Sequence, residues 1–170
     1  SKSAIEWTDK TDNPIRIVKD GKNGGHWCQK ISAGCANCYA EAVNQSNYFQ
    51  FASHLKYTGK PPENLSFDNA MVEKWKTATK PWKRFVCSMT DLFGEWVPYE
   101  WQKKVFDEAA LAPTQTIQLL TKRPNLASLA ATRWLVETGR TKMPSNIWMG
   151  VTIEDQIEAD NRLPFANDIS

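Results

Sequence analysis

The sequence lacks several features that would assign a protein to a class directly. No apolar run approaches the roughly 20 residues that a membrane-spanning helix needs. A net charge of +2 over 170 residues gives no general attraction to nucleic acids or acidic membranes. The opening residues, SKSAIEWTDKT, contain no apolar segment typical of a signal peptide, and there are no internal repeats. We therefore expect one globular domain over residues 1–170, in the cytoplasm and without a membrane partner.

Cysteines are few and unevenly placed. Three of the four, Cys28, Cys35 and Cys38, lie close together with the spacing C-x6-C-x2-C. A reducing compartment keeps thiols free, so clustered cysteines indicate metal or cluster ligands rather than disulfides. The fourth, Cys87, lies inside an apolar run and is predicted to be a small buried core residue.

Three thiols without a fourth suit two kinds of metal centre. Three thiolates can hold three irons of a [4Fe–4S] cluster and leave the fourth iron open to a substrate or cofactor. Alternatively, His26 supplies the fourth ligand of a tetrahedral zinc site, in the pattern H-x-C-x6-C-x2-C. In either case Gly34 would let the backbone bend just before Cys35. The spacing leaves both centres open, together with incidental clustering.

The rest of the chain alternates between strand and helix patterns. Short apolar strands separated by helices are typical of a parallel sheet covered on both faces, and so we predict an α/β fold with about four parallel strands. Strands are predicted at 14–18, 84–90, 116–122 and 146–153, helices at 36–51, 69–79, 98–112, 124–139 and 154–163, a loop at 19–26 and an irregular segment at 54–68. Pro164 is expected to end the last helix.

Several blocks of the sequence form a recognisable series around the cysteines. The cysteine segment 34-GCANCYAE-41 follows 5-IEWTD-9 and Asn13-Pro14. Later blocks are 88-SMTDLFGEWVP-98, 119-LLTKRP-124 and 147-IWMGVTIEDQIEADNRLP-164. In these blocks the chain resembles the phage-associated three-cysteine-motif proteins, and the resemblance covers nearly its whole length.

Through these motifs the chain is similar to radical S-adenosylmethionine enzymes. In those enzymes three cysteines hold a [4Fe–4S] cluster on a partial (β/α) barrel, and the open iron binds the amino acid part of S-adenosylmethionine. An electron from the cluster then cleaves the sulfonium and releases a 5′-deoxyadenosyl radical. The resemblance therefore implies a partial barrel with flanking helices, and a phage or prophage protein whose Cys28, Cys35 and Cys38 hold the cluster in the host cytoplasm.

Polar residues follow the predicted parallel strands, where ligand sites of such sheets gather. Asp91 would hold the amino group of the cofactor or organise its own loop. Lys122 and Arg123 would bind a carboxylate or phosphate, or stay as solvated charges. Thr152 and Glu154 would contact a ribose, unless Glu154 belongs to the first turn of a helix. We expect these residues and the cysteine loop to face one cleft.

A binding protein without catalysis is the second interpretation. The first spacer has six residues where radical enzymes usually have three, and 91-DLFGE-95 stands in place of their Gly-Gly-Glu-Pro segment. Such a chain would keep the cluster, or a His/Cys3 zinc site, as a structural staple. It would bind a host protein, a partner chain or a nucleic acid, since fold alone does not determine function.

Overall fold

The computed structural model describes residues 3–46, 51 and 55–166. Seven strands and five α-helices lie in this part of the chain. The strands are β1 (Lys10–Asp12), β2 (Ile15–Lys19), β3 (Lys22–Gly25), β4 (Leu65–Phe67), β5 (Lys83–Val86), β6 (Thr116–Thr121) and β7 (Ile147–Val151). The helices are α1 (Tyr39–Gln45), α2 (Asn69–Glu73), α3 (Tyr99–Ala110), α4 (Pro124–Thr138) and α5 (Gln156–Ala166). Within the described ranges, no helix combines the length and apolar character needed to cross a bilayer.

Four strands form a parallel sheet in the order β1-β5-β6-β7. The three long predicted strands are neighbours in the predicted order, with Lys83 opposite Thr116 and Ile117 opposite Ile147. Helices flank this sheet, and it does not close in the described part of the chain. The predicted α/β partial barrel with four parallel strands is therefore confirmed.

The main core lies between the sheet and helices α3 and α4. Ile117 and Leu119 of β6 share a buried cluster with Phe106 of α3 and Trp134 of α4. Because side chains alternate along a strand, Phe85, Gln118, Leu120 and Trp148 point to the opposite side, which we call the open face. Trp148 is 51% exposed there. Phe85 on the same face is 7% exposed because Trp7 packs on it, so in the described part of the chain the expectation that both faces are covered holds over Phe85 and not over Trp148.

The first predicted strand belongs to a different sheet. β2 covers 15–19, but it pairs antiparallel with β3 and β4 in a separate three-stranded sheet. The predicted loop at 19–26 contains β3, and the predicted irregular segment contains β4. Asp20 and Gly21 have φ values of 52° and 71°, which suits the two-residue turn of the β2–β3 hairpin.

β1, which the sequence did not indicate, takes the edge of the parallel sheet beside β5. Its three residues, Lys-Thr-Asp, carry no apolar pattern. A buried network fixes its position instead. Asp12 accepts from Arg84 Nη1 and Trp75 Nε1, both at 2.9 Å, and Arg84 Nε donates to Gln115 Oε1 at 2.9 Å.

Two long helices match their predictions and three others do not. α3 and α4 lie within two residues of the predicted bounds, and Gly139 ends α4 with a left-handed φ of 66°. α2 is shorter than predicted and α1 begins only at Tyr39, while part of the predicted 36–51 helix lies outside the described residues. α5 continues through Pro164 to Ala166. A proline so near the end of a helix costs one backbone hydrogen bond and does not stop the helix.

The position of β1 predicts the effect of Asp12→Ala. The substitution leaves the Arg84 guanidinium, whose side chain is 9% exposed, without its carboxylate partner. We expect a loss of about 3 kcal/mol in the free energy of unfolding, measured by urea denaturation. Glu63→Ala, at an exposed position, should change it by less than about 0.5 kcal/mol. Equal effects of the two substitutions would contradict the place of β1 beside β5.

Candidate functional site

A cavity of about 530 Å³ lies where the parallel strands end. Side chains that follow β5, β6 and β7 line it, together with the cysteine loop. Its polar and thiol lining includes Cys28, Cys35, Cys38, Asp91, Lys122 and Thr152. The structure thus brings together the three clustered cysteines and three of the predicted cofactor residues. Glu154 and His26 are not part of the lining.

The three thiols of the loop differ in their surroundings. All are free, and Cys35 lies in a short 3-10 turn, Ala33–Cys35, with Sγ 3.6 Å from Ser32 Oγ. Burial, with a contribution from the Asp91 carboxylate, raises the pKa of the Cys28 thiol to about 12. Burial also acts to raise the pKa of Cys35, but hydrogen bonds from its own loop and the Lys122 charge outweigh it, so the pKa lies below its usual value.

Cys87 is buried as predicted, but it lies at the boundary between the main core and the cavity. It is 3% exposed, belongs to the main core and also lines the cavity. Its φ of 61° follows the end of β5, and its N–H donates to Asp12 O at 2.9 Å. Burial raises the pKa of its thiol. All four cysteines of the chain therefore border one space.

His26 lies against the antiparallel sheet rather than among the thiols. It is 3% exposed, its Nδ1 is 2.7 Å from Ile15 O, and its backbone N–H donates to Asn44 Oδ1 at 2.7 Å. Burial lowers the pKa of its imidazole. Among the described residues, no three His, Cys, Asp or Glu side chains are arranged to hold one metal ion.

The donors that the cavity offers from the cysteine loop are three thiols. Thiolates of a [4Fe–4S] cluster bind different irons, so they stand further apart than the ligands of one zinc ion. Cys28, Cys35 and Cys38 all line the same cavity. The position of His26 gives no support to a His/Cys3 zinc site.

Asp91 organises two loops with its carboxylate. It is 6% exposed and accepts from Thr121 Oγ1 at 2.8 Å and from the backbone N–H groups of Phe93 and Lys122 at 3.0 and 3.1 Å. Arg123 Nη1 lies 3.3 Å from it. Of its two predicted roles, the contacts match loop organisation, because its oxygens already have partners.

Arg123 is a buried cation beside the cysteine loop. It is 4% exposed, and its guanidinium lies 4.8 Å from the centre of the Trp96 ring. Its Nε donates to Glu95 Oε2 at 3.0 Å and its Nη2 to Gln29 O at 3.2 Å. It is therefore not the solvated charge that was one alternative from the sequence.

Glu154 connects the cysteine loop to the end of the sheet. Its carboxylate forms ion pairs with Lys122 and, at 2.7 Å, with Arg162 Nη1. It also accepts from Ser32 Oγ at 3.0 Å. Since α5 begins at Gln156, Glu154 does not belong to the first turn of a helix.

Three hydrogen bonds that the sequence did not indicate tie the loop after β5 to the segments around the thiols. Tyr39 Oη donates to Ser88 O at 2.6 Å, Tyr57 Oη to Met89 O at 2.7 Å and Thr90 Oγ1 to Trp27 O at 2.6 Å. Of the three donors, Tyr39 directly follows Cys38 in the sequence. Trp27 is 2% exposed, and its ring meets the Trp96 ring edge-on at 5.0 Å. Trp27 belongs to a buried cluster against which Trp96, Cys28 and Cys38 pack.

Gly34 permits the close approach of Glu154. A Cβ at this position would lie 2.5 Å from Glu154 Cγ, and the backbone of Gly34 is outside the left-handed region. The glycine is therefore needed for space, not for the sharp bend that the sequence suggested.

This contact predicts the effect of Gly34→Ala. We expect the methyl group to displace Glu154 and to lower the free energy of unfolding by about 1–3 kcal/mol, measured by urea denaturation. In a Glu154→Ala background the same change should cost much less, because the clash is gone. Additive costs in this double-mutant cycle would contradict the contact.

All residues of the site lie within the region of the chain that matches a family of known sequences. The model of a family described as protein of unknown function (DUF5131) matches residues 2–170. No curated protein and no solved structure matches the chain. The match includes the cysteine loop and every strand end that lines the cavity. The chain therefore belongs to the DUF5131 family.

Proposed function

We propose that this chain is an iron–sulfur protein in which Cys28, Cys35 and Cys38 hold a [4Fe–4S] cluster. We further propose that it is an enzyme of the radical S-adenosylmethionine type. The observation that carries the proposal is that the three thiols of one short loop border a cavity at the carboxyl ends of parallel strands. A cluster held there would face the space that a substrate can enter.

The charges around the loop support an anionic group at this place. Lys122 and Arg123 both line the cavity. Lys30 forms an ion pair with Glu41 on the other side of the loop. The hydrogen bond to Glu41 is the main cause that raises the pKa of Lys30, and the nearby Cys38 and Cys35 act in the same direction. A cluster would share these cations with the carboxylates that already pair with them, Glu41, Glu154 and Asp91.

The cavity also offers groups that could bind a small polar cofactor. The Thr152 hydroxyl lines the cavity and donates to no other described residue, so it is available to a ligand. The Asp91 carboxylate accepts a hydrogen bond from the backbone N–H of Lys122 and so holds Lys122 beside the cavity. When bound, a cluster with one open iron supplies a coordination position and an electron for cleaving the sulfonium of S-adenosylmethionine.

A binding protein without catalysis is favoured by a different observation. Three of the predicted cofactor residues already pair with the chain itself, since Lys122 pairs with Glu154 and Asp91 with Arg123. A cofactor that used these side chains would have to replace those contacts. In that case the cluster would serve as a structural staple for the loop.

The first test of the proposal is metal content. Protein purified without oxygen should be brown and contain iron and acid-labile sulfide. Cys28→Ala, Cys35→Ala and Cys38→Ala should each remove the colour, because each leaves one iron without its thiolate.

Cys87→Ala is the matched control in this experiment, since Cys87 borders the same cavity. The variant should keep both colour and iron. Loss of the cluster in Cys87→Ala would make it a fourth ligand and remove the open iron. Stoichiometric zinc in place of iron in the wild-type protein would refute the cluster.

The second test is cofactor binding. The reduced protein should bind S-adenosylmethionine with a change in its electron paramagnetic resonance spectrum, and should slowly release 5′-deoxyadenosine. Thr152→Val should raise the Kd for the cofactor roughly 3- to 10-fold through loss of one hydrogen bond. Thr141→Val, at an exposed loop position, should leave the Kd unchanged. A fully loaded cluster that neither binds nor cleaves the cofactor would contradict the enzyme and favour the binding protein.

A further inference from the structure

The open face of the sheet carries two exposed indoles. Trp7 is 47% and Trp148 51% exposed. Trp7 packs on Phe85 with the ring centres 4.8 Å apart. Through Trp7, Phe85 and Leu120 the open face continues into the cavity that the cysteines line. An exposed apolar surface that leads into a cavity marks a binding site.

The spacing of the aromatic rings indicates what could bind there. Phe85 pairs with Gln118, and Gln118 with Trp148, so the three lie in one row across β5, β6 and β7. The first and last positions are thus two strand spacings apart, about 10 Å. Phe85, on which Trp7 packs, and Trp148 are therefore too far apart to hold one flat ring between them. The pair of Trp7 and Phe85 forms one platform and Trp148 a second, each able to stack one ring.

Gln118 places a carboxamide between the two platforms. Its Nε2 lies 3.4 Å from Trp7 O, and its Oε1 is covered and has no hydrogen-bond partner among the described residues. Glutamine amides pair with the polar edges of nucleobases, which also stack on indoles.

Lysines without carboxylate partners lie at the amino-terminal end of the same sheet. Lys83 Nζ lies 5.9 Å from the centre of the Trp148 ring. Lys10 and Lys80 lie over Trp82, the residue directly before β5. In the described part of the chain, none of these three lysines forms an ion pair. Cations beside exposed aromatic rings are the pattern by which proteins bind single-stranded nucleic acids.

We propose that the open face binds single-stranded nucleic acid, with bases stacked on Trp7 and Trp148 and a backbone phosphate beside Lys83. A strand fits better than a free nucleotide because the two platforms are separate. A duplex does not fit, because its bases already stack on one another. This names the substrate class of the site described above, and it rests on the proposed function for the chemistry only. Strand binding itself requires no cluster.

The test measures fluorescence anisotropy of a short labelled single strand of mixed sequence. The wild-type protein should bind the strand in preference to the matching duplex. Trp148→Phe should keep most of the affinity, whereas Trp148→Leu, which retains apolar surface without a π face, should lose it roughly 5- to 150-fold. Val136→Ala, at a 77% exposed position on α4, should have no effect.

Lysine variants test the place of the phosphate. Lys83→Gln should reduce the slope of log affinity against log salt by about 0.7, and Lys142→Gln, in the exposed loop before β7, should leave it unchanged. Equal affinity for the duplex, equal effects of Trp148→Phe and Trp148→Leu, or displacement by a mononucleotide at the same base concentration would overturn the proposal.

The iron content separates this proposal from the proposed function. Wild-type protein from which iron has been removed by a chelator should bind the strand as tightly as the iron-loaded protein, and loss of binding without iron would contradict a site on the open face. Tight strand binding by a wild-type protein that takes up no iron would refute the cluster and leave the nucleic-acid site standing.

Discussion

The buried carboxylate of Asp91 is the contact on which the site depends. It joins the loop after β5 to Thr121, Lys122 and Arg123 at the end of β6. Arg123 in turn donates to Gln29 O, next to Cys28. Because a buried charge requires partners, these loops cannot separate without a large cost in free energy. The cysteine loop is thus held from the sheet side before any metal binds.

Glu154 holds the same loop from the other side. It connects Ser32 to Lys122 and Arg162, and the missing side chain of Gly34 leaves room for it. The two carboxylates together explain why Lys122 and Arg123 lie beside the thiols without being free ligands. They position the loop and balance buried cations. The cavity beside the thiols therefore stays open, and it continues into the open face of the sheet.

Periodicity in the sequence was sufficient for the long elements and strand order, because β6 and α4 bury a regular apolar pattern. It could not find β1, whose position depends on the contact of Asp12 with Arg84, 72 residues away. The principle that ligand sites gather at the carboxyl ends of parallel strands located the residues of the site, but it did not identify the side chains that they contact. The contact between Gly34 and Glu154 joins distant parts of the chain, and nothing local in the sequence encodes it.

The most direct test of the central claim is a Mössbauer spectrum of protein loaded with isotopically enriched iron, recorded with and without S-adenosylmethionine. Three cysteine ligands and one open iron predict that a single iron of the four changes its spectrum when the cofactor binds. A spectrum in which all four irons stay unchanged, or a protein that binds no iron, would contradict the assignment of Cys28, Cys35 and Cys38 as holders of an open cluster.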